Sequence, residues 1–120
     1  MKLTAAAAIR ELPNQPLFHV RQSYIMSGDK VIARELIGTD RLIQNFSQHD
    51  HADLQDTCLV KLPLEPFLKI DTPVIGIHTV TNCFKAGING IVIKAKMTTV
   101  LNQREIREFC NNKRFYIYGF

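Results

Sequence analysis

The segment Gly90 to Ala95, with Ile91-Val92-Ile93 at its centre, does most to limit what this chain can fold into. Three consecutive β-branched residues favour a strand, and with no polar partner between them neither face of that strand is fit for water. Such a run predicts a strand covered on both sides, which in turn requires other strands beside it and further layers above and below.

The surrounding sequence supplies candidates for those layers. Leu3 to Leu12 is alanine-rich and predicts a short helix ended by Pro13 and Pro16. Leu17 to Met26 and Val31 to Ile37, separated by Ser27-Gly28-Asp29-Lys30, read as a β-hairpin. Thr39-Asp40 then caps a helix whose Leu42, Ile43 and Phe46 recur at helical spacing up to about Gln48. A polar loop, His49 to Asp56, leads to a strand over Cys58 to Leu62.

Pro63, Pro66 and Pro73 forbid a regular helix or central strand through Leu64 to Thr72, leaving an extended crossing that delivers Val74-Ile75-Gly76. His78 or Thr79 opens the next helix, with Val80, Cys83 and Phe84 on one face and Gly87 as the left-handed residue past its end. After the apolar strand come a shorter strand over Thr98 to Leu101 and a helix with the spacing of a reciprocal Asn102/Glu105 cap and a stripe of Ile106, Phe109 and Cys110. Arg114 to Phe120 reads as a closing strand. The order predicts an α/β fold: a single layered domain over residues 1–120, with an N-terminal β-hairpin and a mixed sheet flanked by about three to four helices.

The length of 120 residues suits one core and one domain. Fifteen basic against eleven acidic residues give a net charge of +4, but Lys30, Lys69, Lys85, Lys94 and Arg107 lie in different segments, a distribution that argues against a nucleic-acid surface. Cys58, Cys83 and Cys110 are odd in number, lack CxxC spacing and sit among apolar residues, as reduced core thiols do. No apolar run approaches the roughly 18 residues of a membrane span, and the Ala5 to Ala8 run is too short for a secretory signal, which predicts a cytoplasmic protein.

The chemistry-bearing residues each have an ordinary reading as well. His49-Asp50-His51 with Asp53 has metal-binding residue types but falls in a polar loop without rigid support. His19 and His78 are single histidines. Asp71 stands between Ile70 and Thr72-Pro73, a carboxylate in an otherwise apolar passage; it is either a turn residue accepting backbone amides or a metal ligand or base. Thr39-Asp40 is either a helix cap or part of a phosphate-holding helix start. Gly87 and Gly90 lack the spacing of a phosphate loop, and no serine, histidine and aspartate set has a nucleophile context.

Taken together, the blocks Leu59-Val60-Lys61, Ile70 to Gly76, Thr79-Val80 and Lys85 to Ile93, with Gly38-Thr39-Asp40 upstream, resemble the C-terminal domain of the metal-dependent UDP-2,3-diacylglucosamine pyrophosphatases of lipid A biosynthesis. The resemblance spans about Ile9 to Tyr118. It implies hydrolysis of the lipid-linked UDP-sugar to UMP and 2,3-diacylglucosamine 1-phosphate, aided by Mg2+ or Mn2+. It makes Asp71 the catalytic carboxylate or metal ligand and Asp40 a second metal ligand or substrate-orienting group. Thr39 and Lys61 become substrate contacts, and Gly76, Gly87 and Gly90 become points of close backbone approach. It further implies peripheral contact with the inner membrane.

The family's enzyme has an N-terminal nucleotide-fold-like half preceding the region that this sequence resembles, so a polypeptide supplying that half, or a homodimer, is the expected partner. Arg34 and Ile37 stand where the family pattern carries glutamates, and Lys94-Ala95-Lys96 where it carries glutamate-alanine-glycine. Loss of carboxylate charge weakens a hard-cation site. The expectation is therefore a truncated or split pyrophosphatase without turnover on its own. The alternatives are a non-catalytic domain that binds ligand or partner, and a basic nucleic-acid-binding module using Lys85, Lys94 and Lys96.

Overall fold

The computed structural model describes residues 23–28, 30–34, 39–47, 56–62 and 74–120. In chain order these form strands β1 (Ser23–Ser27) and β2 (Lys30–Arg34), helix α1 (Thr39–Ser47), and strands β3 (Thr57–Lys61) and β4 (Val74–Ile75). Helix α2 (Ile77–Lys85), strand β5 (Gly90–Ile93), a 3-10 turn (Ala95–Met97), strand β6 (Thr99–Val100), helix α3 (Gln103–Lys113) and strand β7 (Tyr116–Gly119) follow. The helix expected over Leu3 to Leu12, most of the loop from His49 and the crossing from Leu64 to Thr72 lie outside the described residues.

The main sheet has the order β2-β1-β3-β5-β7. The hairpin β1/β2 and the pair β1/β3 are antiparallel, whereas β3/β5 and β5/β7 are parallel. This is the mixed sheet that the element order predicts, with β5 between two parallel neighbours. Strands β4 and β6 form a separate two-stranded parallel sheet.

Alternation along each strand divides the core in two. On one face Ile25, Leu59, Ile91 and Ile93 pack with Leu42, Ile43 and Phe46 of α1, Val80 and Cys83 of α2, and Ile106 of α3. The other face buries Tyr24, Met26, Cys58, Val60, Leu62 and Val92, against which Val31, Tyr116 and Tyr118 are packed. The side chains of Ile91 and Val92 point to opposite faces and both are fully buried, as the uninterrupted apolar run requires. All three described helices contribute to the first cluster and none to the second.

The helix ends depart from the expected chemistry. Helix α2 starts at Ile77 behind Gly76, ahead of His78 and Thr79, and Gly76 provides no side-chain cap. Asn102 precedes α3 with left-handed backbone angles (φ 55°, ψ 41°) and makes no cap to its own helix, so the reciprocal Asn102/Glu105 arrangement is absent. Instead Asn102 Oδ1 accepts the Ile77 amide at 3.3 Å, satisfying a free N–H at the start of α2. A side chain turned across to a neighbouring helix is unavailable to its own, and only the tertiary fold brings that neighbour within reach. Past α2, Gly87 does adopt the left-handed conformation (φ 88°) expected of it.

Candidate functional site

Strand register gathers chemistry at one edge of the main sheet. Lys61 is the register partner of Ser23 on one side and Ile93 on the other, and Ile93 is the partner of Gly119. The carboxyl ends of the three parallel strands are therefore level, with the start of β1 beside them. In open α/β sheets this edge is the usual ligand side, because loops and helix starts converge there.

The first residues of α1 and α2 reach the same edge. Thr39 Oγ1 and Ser23 Oγ are 2.7 Å apart, a hydroxyl pair that pins the start of α1 to the sheet. Lys61 Nζ donates to the Val74 carbonyl at 3.0 Å, which ties the end of β3 to the segment leading into Gly76 and α2. That bond uses one of three ammonium donors and leaves others for an anion. Thr39, Asp40, Lys61 and Gly76 are thus brought together at one edge.

Gly87 and Gly90 lie at the other edge, where local packing accounts for them. Thr57 Oγ1 donates toward the Gly87 carbonyl (3.1 Å) and Asn89 Oδ1 (3.2 Å), and the Thr57 amide donates to Asn89 Oδ1 at 2.9 Å. Gly90 sits under the Tyr116 ring, where a side chain would collide with ring carbons. Asp71, His49, Asp50, His51 and Asp53 lie outside the described residues, as do Ile37 and Gly38.

Between α1 and α2 runs a groove of about 450 Å³ lined by Asp40, Ile43, Gln44, Ser47, Asn82, Lys85 and Ala86. The α1 contributors fall at i, i+3, i+4 and i+7, the spacing of one helical face. Ile43 and Ala86 supply apolar surface while the others present a carboxylate, an ammonium, two amides and a hydroxyl. Of these, Gln44, Ser47 and Asn82 escape a sequence reading focused on charged and histidine residues; helical spacing from Asp40 was the available signal for Gln44 and Ser47, and Asn82, on the facing helix, had none.

The donor set bears on a metal. No group of three or more His, Cys, Asp or Glu side chains comes together among the described residues. The groove holds one carboxylate, Asp40, with Lys85 also on its wall. A hard cation needs several oxygen ligands and gains much of its binding from their charge, so these described residues do not by themselves make a Mg2+ or Mn2+ site.

The thiols are not activated nucleophiles. Burial pushes Cys58 from an ordinary value of 9.0 up to about 12, partly offset by Tyr116 and reinforced by Asp56. Cys83 is also pushed up to about 12, chiefly by burial, with Asp40 adding to the rise and Lys61 opposing it. Burial raises Cys110 as well. The buried Tyr116 hydroxyl is likewise raised, first by burial and then by Cys58, although it makes no hydrogen bond of good geometry.

These shifts predict the alkaline limit of stability. The unfolded thiols lose their protons near pH 9 while folded Cys58 and Cys83 keep theirs to about 12. Their contribution is complete below pH 9 and is lost as pH rises from 9 through 12. Thermal melts should show a midpoint that declines across that window, and more weakly in Cys58→Ala than in the parent; an equal decline in both would reject the assignment.

Among the described residues no helix is long and apolar enough to cross a membrane. No curated protein matches the chain. The family model described as the LpxI C-terminal domain matches residues 4–118. This match fixes the family and the UDP-2,3-diacylglucosamine hydrolase class to which it is related; it does not carry a metal requirement. With nearly its whole length matched, the chain belongs to the LpxI C-terminal domain family.

Proposed function

We propose that this chain is the C-terminal part of a UDP-2,3-diacylglucosamine pyrophosphatase whose site is completed by a nucleotide-fold half, supplied on the same or another polypeptide. The observation that carries the reading is the convergence of Thr39, Asp40, Lys61 and Gly76 at the carboxyl edge of the parallel strands in a chain of this family. Water adds across the P–O–P bridge: its oxygen bonds to one phosphorus, the bridging oxygen leaves on the other phosphoryl group, and UMP and 2,3-diacylglucosamine 1-phosphate result.

In this reading Lys61 steadies phosphate oxygens, while Thr39 and the backbone at Gly76 shape the edge against which the pyrophosphate lies. Gly87 and Gly90 act at a distance by fixing the strand that carries the edge. Asp71 is the catalytic carboxylate and, with Asp40, the source of acidic ligands if Mg2+ or Mn2+ takes part; no step above is routed through the metal. The lipid-linked substrate implies work in the cytoplasm with peripheral contact at the inner membrane.

A second reading, a domain that binds ligand without turning it over, is favoured by the single carboxylate of a groove that Lys85 also lines among the described residues. Assay of UMP release separates the two. The chain combined with a nucleotide-fold half is expected to release UMP, to lose at least about a hundredfold in rate on Asp71→Asn, as general-base loss does, and to lose activity with EDTA if the metal is required. Tight UDP binding with no UMP release under any of these conditions would select the second reading.

A further inference from the structure

Among the described strands, β2 and β7 are the outermost of the main sheet. An outermost strand turns one row of backbone N–H and C=O groups away from its neighbour, and natural proteins guard such a row with charges, bulges or prolines. Strand β2 is guarded in this way. Lys30 and Arg34 stand at its ends, and the pairing jumps from Ile25–Ala33 to Met26–Val31, which leaves Ile32 as a bulge. An antiparallel pairing of β2 with its own copy would also set Lys30 against Arg34, like charges opposite each other.

Strand β7 carries no such guard. Phe115 to Phe120 reads Phe-Tyr-Ile-Tyr-Gly-Phe, without charge or proline, and its ladder with β5 runs without a bulge from Tyr116 to Gly119. The hydrogen bonds fix the direction of its backbone groups. The Tyr116 amide donates to the Asn89 carbonyl at 3.3 Å and the Phe120 amide to the Ile93 carbonyl at 3.0 Å, while the Phe120 carbonyl accepts the Ala95 amide at 3.0 Å. Because the bonding groups of a strand alternate in direction, those of Tyr116, Tyr118 and Phe120 face β5 and those of Ile117 and Gly119 face away from it. The side chains alternate too: Ile117 packs on the helix-covered face, Tyr116 and Tyr118 on the other.

The sequence about Ile117 reads the same in both directions, Tyr-Ile-Tyr. A twofold axis through this residue, perpendicular to the sheet, places Ile117 opposite Ile117 of a second copy as a pair that exchanges both backbone bonds, which its outward N–H and C=O permit. It also sets Tyr118 opposite Tyr116 of the second copy in the closer, non-hydrogen-bonded pairs. The Tyr116 ring is turned inward over Gly90, which leaves Tyr118 room to reach across. Every central position thus pairs an aromatic or β-branched residue with its like, whereas a shift by one residue sets Ile117 against the bare backbone of Gly119.

We propose that β7 is a self-association edge through which two copies of this chain pair, antiparallel about Ile117, so that their main sheets join into one continuous sheet. The partner is a second copy because the free backbone groups and the side-chain order are self-complementary there, and no charge on the strand opposes the pairing.

Hydrogen exchange read by NMR on the 15N-labelled full chain, beside sedimentation velocity over the same range of concentration, tests this without any variant. The Ile117 and Gly119 amides should gain at least about tenfold protection in step with the dimer fraction, while those of Tyr116 and Tyr118 are protected in monomer and dimer alike. Tyr118→Lys, which adds the charge that natural edge strands carry, should weaken dimerisation at least about tenfold. Ile32→Lys, on the opposite edge, should dimerise like the parent. A parent that sediments as a monomer throughout, or a dimer whose Ile117 and Gly119 amides stay unprotected, would overturn the proposal. So would protection that appears only when a nucleotide-fold half is added, since the edge would then serve a different partner.

Discussion

Gly90→Ala is expected to lower the unfolding free energy by about 1–3 kcal/mol, the usual cost of overpacking a well-filled position. The reason is geometric. A Cβ built on Gly90 falls among the ring carbons of Tyr116, far inside van der Waals contact. The two residues are register partners on adjacent parallel strands, so the ring lies over bare backbone. Relief requires either rotating a ring whose hydroxyl is buried or separating β5 from β7. Urea denaturation of the parent, Gly90→Ala, Tyr116→Ala and the double variant measures the coupling. In the Tyr116→Ala background the added methyl has room, so most of the cost should vanish. The same cost in both backgrounds would show that the ring is not what the methyl meets.

Ile91→Ala should have a larger effect, about 2–5 kcal/mol, because it removes a fully buried side chain from the centre of the helix-covered cluster and leaves a cavity. For a chain of 120 residues this corresponds to a fall in melting temperature of roughly 8–20 °C. The comparison is Ile117→Ala on β7, whose side chain is only partly buried against the same cluster and whose loss should cost clearly less. Denaturant midpoints at constant slope provide the measurement. Equal midpoints for the two variants would contradict the placement of β5 as an interior strand between β3 and the edge strand β7.

The two positions also bear on the site. Strand β5 passes from Gly90, at the edge with Thr57 and Asn89, to Ile93, level with Lys61. Separation of β5 from β7 on Gly90→Ala would also disturb the opposite end of the pair, where Ile93 and Gly119 lie level with Lys61. Gly90 therefore influences the site from its far side, and close backbone approach there is to the Tyr116 ring.

Much of the fold was legible because its signals are local. The hairpin about Gly28, the helix beginning at Thr39-Asp40, and Gly87 at the end of α2 are written in turn chemistry and in the spacing of apolar residues. The lines of the site were less legible. Lys61 reads as a phosphate contact, yet the structure gives one of its donors to the Val74 carbonyl, and that pairing depends on two segments separated by three prolines. Asn102 reads as the side-chain cap of its own helix, but with left-handed backbone angles it turns its side-chain Oδ1 to the Ile77 amide and serves α2 instead. The α1/α2 groove could not be read from either helix alone, since each supplies only one wall.

By itself the sequence determined the α/β class, the presence of a strand buried on both faces and the ordered blocks that mark the family: these follow from side-chain hydrophobicity, backbone preference and the order of residues along one chain. Tertiary structure alone decided the strand order β2-β1-β3-β5-β7, the level alignment of Lys61, Ile93 and Gly119, and the separation of Thr39, Asp40, Lys61 and Gly76 from Gly87 and Gly90 at opposite edges. The physical reason is that a strand's apolar pattern states which faces must be buried but not which neighbour buries them. Pairing register, helix placement and the collision between the Gly90 backbone and any side chain beneath Tyr116 arise only when distant segments compete for the same space.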